Sequence, residues 1–167
     1  VQHAAALSSN VNVKADAALD MDGASYDVIN LTGTGAATNG TTRMTGAFTI
    51  GETDSAVGAS FTFDNVTFAS GSTVKCDAAA NGSANDTFVV NGALTAEGVV
   101  NLDFGRTEAD PLAKTFYIKL ADFGTCGGIR FRAVNTGLPS NYALQTLIEN
   151  QAVYVKLIQG GTTFTLR

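Results

Sequence analysis

Histidine is the commonest general base, and this 167-residue chain carries one, His3, at its third position. A His there is poorly placed to join a buried Ser-His-Asp arrangement, and one His with two distant cysteines makes no transition-metal cluster of the usual ligand spacing. The stretch "DMDG" (Asp20, Met21, Asp22, Gly23) begins like a calcium loop but lacks the remaining ligands, including the distal Glu, and reads as a solvated turn. Fifteen Asp and Glu always furnish carboxylate pairs, and nothing singles out two that would face each other across a glycosidase cleft. "GTGAATNGTTR" has neither the Lys nor the following helix of a phosphate-binding loop. These residues point away from an enzyme, and no catalytic residue, metal ligand or cofactor is expected.

Cys76 and Cys126 are too far apart for a CxxC redox or zinc motif. A disulfide between them would close a loop of about 50 residues, add about 4 kcal/mol on the chain-entropy model, and imply an oxidising, extracellular setting. The alternative is two unpaired thiols acting as small hydrophobes. Asn30, Asn39, Asn65, Asn81 and Asn85 each stand in an Asn-x-Ser/Thr sequon, the acceptor pattern of glycosylated loops in exported proteins. A composition rich in Asn and Thr also yields such triplets. There is no Trp to stack on a sugar, and of the four tyrosines (Tyr26, Tyr117, Tyr142, Tyr154) only Tyr117 and Tyr154 fall on the polar parity of their strands. These two are the candidates for a carbohydrate-binding face, against the plainer role of shielding the outer sheet surface.

The composition narrows the partners. Net charge is −5, and the ten Lys and Arg are scattered singly apart from Arg130 and Arg132, so there is no basic patch for nucleic acid. No apolar run approaches the roughly 20 residues that a membrane-spanning helix needs. At 167 residues the chain suits one core.

Stepping along the chain gives strand-sized pieces between Gly, Asn and Asp clusters, the pattern of an all-β sandwich or barrel. "YDVINLTG", "TRMTGAFTI", "KTFYIKLADF" and "GGIRFRAVN" alternate apolar and polar residues. "ASFTFDNVTFAS" changes parity at Asp64-Asn65, which predicts a bulge or turn there. "DTFVVNGALTAEGVVNLDF" carries turn signals at Asn91-Gly92 and Glu97-Gly98 and predicts a meander. In residues 140–149, Ser140 as N-cap and Leu144, Leu147 and Ile148 at helical spacing predict one short helix. "AVYVKLIQGGTTFTLR" predicts a hairpin turning at Gly160-Gly161, with Val153, Val155 and Leu157 inward. No exact repeat is visible. The expected fold is an antiparallel β-sandwich of jelly-roll, immunoglobulin-like or pilin-like type.

Residues 7–23 alternate for too long to be one strand of a small sandwich: Leu7, Val11, Val13, Ala15, Ala17, Leu19 and Met21 share a parity. Residues 1–13 contain no Asp, Glu, Lys or Arg, and such an uncharged β-prone tail invites pairing with other chains. The division expected is an extended arm over residues 1–13 and a head over 14–167.

In this layout, over the whole chain, the sequence resembles donor-strand pilins and the thread-like extracellular filaments of archaea. The resemblance implies a structural subunit of an extracellular, cell-surface filament that forms a homopolymer by β-strand addition, with Ala5, Leu7, Val11, Val13 and Ala15 filling a neighbour's groove. The chain departs from the bacterial form in lacking an evident terminal motif for a chaperone. A secreted carbohydrate-binding or adhesin module, with surface glycans as partners, is the alternative.

Overall fold

The computed structural model describes residues 10–51, 58–78, 85–107, 115–135 and 142–159, and among these every regular element is a strand. In chain order they are β1 (Val11–Val13), β2 (Ala18–Asp20), β3 (Ser25–Gly33), β4 (Ala36–Ile50), β5 (Ser60–Phe68), β6 (Thr73–Ala78), β7 (Thr87–Ala96), β8 (Val99–Thr107), β9 (Thr115–Cys126), β10 (Arg130–Asn135), β11 (Tyr142–Glu149) and β12 (Ala152–Gln159). They form one mixed sheet whose path runs β10-β8-β6-β4-β5-β7-β9-β12-β11, with β1, β2 and β3 attached beside it.

The all-β expectation holds, but the antiparallel sandwich is replaced by a winding chain. Every strand-to-strand ladder from β1 to β10 is parallel, the ladders of β12 with β9 and β11 with β12 are antiparallel, and one isolated antiparallel bridge joins Gly33 to Gly51. Parallel neighbours in a sheet usually need a helical crossover between them. Here the strand itself turns corners, so that successive stretches stack as rungs, each on the one before.

The register defines three faces. On face A, Val11, Leu31, Phe48, Val74, Leu102 and Ala133 occupy successive rungs. Face B carries Leu19, Ala37, Phe63, Val90 and Phe123. Face C carries Tyr26, Thr42, Val66, Leu94 and Cys126. Register shifts fall where the chain turns from one face to the next, between Val28 and Asn30, Ala37 and Thr41, Phe63 and Val66, and Val90 and Ala93. The irregularity expected at Asp64-Asn65 is one of these corners. The turn signal at Asn91-Gly92 is another, lying inside β7, so the predicted meander does not fold back: it continues around the stack.

Inward side chains from the three faces meet in one core. Leu31, Phe48, Phe61, Phe63, Val66, Phe68, Val74, Phe88, Leu94, Leu102 and Phe104 are fully buried. Phe48 from face A lies 5.3 Å from Phe61 and 5.0 Å from Phe63 of face B, edge to face, and Phe68 of face C lies 6.0 Å from Phe88. Such aromatic pairs add about 0.5–1.5 kcal/mol beyond area burial.

Residues 142–149 form β11, where a helix was expected. The outer edge of β12 takes β11 as its partner from Tyr142 beside Gln159 to Glu149 beside Ala152. Tertiary pairing overrides the helical spacing, and Tyr142, Thr146 and Ile148 suit a strand. The hairpin turns at Asn150-Gln151, both in left-handed conformation with φ of 49° and 59°, as tight two-residue hairpins require. The expected turn at Gly160-Gly161 lies outside the described residues. Val153 and Val155 point inward as expected, both fully buried. β1 pairs with β3 of its own chain, so Val11–Val13 are part of the stack, while residues 1–9 of the expected arm lie outside the described residues.

Phe63→Ala should remove the centre of the aromatic cluster and destabilise the fold by about 3–5 kcal/mol, read from chemical denaturation followed by circular dichroism.

Candidate functional site

Polar side chains gather at the corners. Between faces B and C, the successive rungs present Asp20, Asn39, Asp64 and Asn91. Asn39 Nδ2 donates to Asp20 Oδ1 at 3.0 Å, Asp64 Oδ2 accepts from the Asn39 backbone N–H at 2.6 Å, and Asn91 Nδ2 donates to Asp64 Oδ1 at 3.3 Å. Asn65 sits just inside this row: its Oδ1 accepts from Ala93 N–H at 2.9 Å and its Nδ2 donates to the Gly40 carbonyl at 3.2 Å. The backbone must come close for this. A Cβ on Gly92 would run into Asn65 Oδ1, and one on Gly40, whose φ is 152°, into the Ala24 carbonyl. Hydrogen bonds from the Asp22 backbone and from Asn39 hold the Asp20 carboxyl below its usual range.

The third face has an ionic bridge on its outside. Arg43 Nε and Nη2 donate to the two Glu97 carboxylate oxygens, both at 2.7 Å, and Nη1 donates to Asp27 Oδ2 at 3.1 Å. The Arg43 guanidinium holds the Glu97 carboxyl below its usual range, and the two carboxylates push the Arg43 pKa up.

Between faces A and B, Asp86 ties together stretches of chain from neighbouring rungs. Its Oδ1 accepts from Gly58 N–H at 3.0 Å and Ala59 N–H at 2.9 Å, and its Oδ2 from Asp77 N–H at 2.9 Å. Burial outweighs these bonds and pushes the Asp86 carboxyl up. Asp86 therefore favours the folded state most below its unfolded pKa and loses that contribution as pH rises through the folded value.

The expected disulfide is absent, and both cysteines are free. Cys76 lies beside Phe104 on face A and Cys126 beside Leu94 on face C, so the winding puts them on different faces. Burial pushes the Cys76 thiol pKa up and leaves it a packing residue. The argument for an oxidising setting from this pair falls with it.

Of the sequon asparagines, Asn39 and Asn65 belong to the corner row. Asn30 Oδ1 accepts from Ala47 N–H at 3.2 Å while its Nδ2 donates to Asn10 at 3.1 Å, and Asn85 Nδ2 donates to the Lys119 carbonyl at 2.5 Å. Each uses the nitrogen that a glycan would occupy to join one stretch of chain to another. Asn81 lies outside the described residues. Of the expected interface residues, Val13 is buried and Val11 half-buried in their own chain, Ala15 is exposed in the β1–β2 turn, and Ala5 and Leu7 lie outside the described residues. The recurring Asp-Gly and Asn-Gly steps at residues 22–23, 39–40 and 91–92 were the signal for the corner row.

Tyr117 and Tyr154 do share an outer face, that of β9 and β12. Tyr117 stands beside Lys156 and Tyr154 beside Lys119 in the register. The Lys156 ammonium lies 5.4 Å from the Tyr117 ring centre, and Lys119 pairs with Asp122 at 2.6 Å. Among the described residues no group of three or more His, Cys, Asp or Glu is placed to hold a metal ion, and no helix is long and apolar enough to cross a membrane. No protein-family model matches the chain, and neither curated proteins nor solved structures give a match.

Asn65→Ala leaves a half-buried backbone N–H and carbonyl without partners and should cost about 1–3 kcal/mol in denaturation midpoint experiments. Because the Glu97 pKa is lowered, its contribution is present above the unfolded carboxyl value and fades as pH falls through the folded one. Thermal melts from neutral to acidic pH at low salt should therefore show a loss that Glu97→Gln removes.

Proposed function

We propose that this chain is a structural subunit of an extracellular surface filament whose copies add end to end through the first rung of the stack. The observation that carries the reading is the outermost layer at that end. Val11, Leu19 and Tyr26, one from each face, are half-buried where the corresponding residues of deeper rungs are largely buried. β1 and β2 each pair on one side only among the described strands, leaving backbone donors and acceptors on the other. Open edges of this kind template pairing with another strand. The opposite end differs, since the β11–β12 hairpin lies along β9 there.

A contact between unlike ends propagates without closing, which makes a fibre. The uncharged stretch over residues 1–13 supports the same reading, because natural edges that must stay unpaired carry charge. The mode differs from a strand donated into a sandwich groove: rung stacks on rung. A secreted adhesin or carbohydrate-binding module remains the second reading, favoured by the exposure of Tyr117 at 52%.

Leu19→Lys places a charge in the outermost layer. The full-length chain should sediment as a concentration-dependent series of polymers and form threads in electron micrographs, and the variant should stay monomeric with an unchanged circular dichroism spectrum. A monomeric full-length chain at the highest soluble concentration would sink the proposal.

A further inference from the structure

We propose that the outer face of β9 and β12 binds an acidic polysaccharide, with Tyr117 packing on a sugar ring and Lys119 and Lys156 taking its carboxylates. The four side chains Tyr117, Lys119, Tyr154 and Lys156 alternate ring and cation both along and across the two strands. Sugars offer apolar C–H faces to aromatic rings and anions to ammonium groups, so this alternation matches a polymer that carries both. Tyr117 is 52% exposed, the largest value among the exposed large hydrophobic residues described.

Edge protection does not account for the lysines. Lysine commonly guards a free strand edge, but β9 lies between β7 and β12, and β12 between β9 and β11. Each ammonium has three donors, and one carboxylate at Asp122 and one ring at Tyr117 do not use them all. In a chain of net charge −5, the two lysines on adjacent strands form a local cationic site for an anion.

The probe is polygalacturonate, in affinity electrophoresis at low and moderate salt, with dextran as neutral sugar and polyglutamate as acidic non-sugar. Polygalacturonate should retard the full-length chain, and neither control should. Lys119→Gln with Lys156→Gln, and separately Tyr117→Ser, should each weaken retention by at least about tenfold. Arg130→Gln with Arg132→Gln should leave it unchanged, and thermal melting should show every variant folded. Equal retardation by polyglutamate assigns the face to acidic peptides and overturns the proposal, as does unchanged binding by the lysine variant or no binding at all. The monomeric Leu19→Lys variant should still be retarded by polygalacturonate, so failure of assembly and failure of binding are told apart.

Discussion

The fold depends on filling a space that three strips of sheet enclose but do not themselves bridge. Backbone hydrogen bonds run along the stack, from rung to rung, and contribute nothing across it. What ties face A to faces B and C is contact among inward side chains, above all the rings of Phe48, Phe61, Phe63, Phe68 and Phe88. Each rung gives each face only a few residues, so each presents one or two inward side chains there. A single rung cannot bury such a surface; its stability comes from the neighbours above and below.

The corners differ in what holds them. Between faces B and C, the Asn and Asp row and the close backbone at Gly40 and Gly92 leave no room for extra residues. Between faces C and A, Asn30 reaches Ala47 N–H and Asn101 Nδ2 donates to the Gly71 carbonyl at 2.9 Å, holding those turns short. Between faces A and B, Asp86 accepts from the Gly58, Ala59 and Asp77 N–H groups and so joins neighbouring rungs. Successive rungs lengthen: Ser25 lies beside Thr41, but Phe88 lies beside Ala121.

The strands were legible in the sequence, and their partners were not, for one physical reason. A rung of this stack has one face to the core and one to solvent, so it shows the same period of two as an antiparallel sandwich strand. Alternation in "KTFYIKLADF" and "GGIRFRAVN" reports burial and not strand direction. The repeat was also present, in the steps at Asp22-Gly23, Asn39-Gly40 and Asn91-Gly92, but rungs of unequal length spoiled its spacing. Leu144, Leu147 and Ile148 fitted a helix because nothing local records that β12 would offer an open edge. Asp86 and Arg43 were invisible for a similar reason, since their partners come from other rungs. The tyrosine pair was found because strand parity alone decides it.

The two ends of the stack are unlike, and that bears on how the faces can be used. Growth through the layer of Val11, Leu19 and Tyr26 would bury residues at the rim of the first rung and leave the outer surface of every later rung in solvent. The ring-and-cation face is formed by outward side chains of β9 and β12, far along the chain from the first rung. On the proposed thread such a site would repeat once per subunit and become multivalent, because each bound sugar segment would raise the effective concentration of the next. A site with two lysines and one open ring needs no high affinity alone in such an array, which fits an exposed face better than a deep cleft.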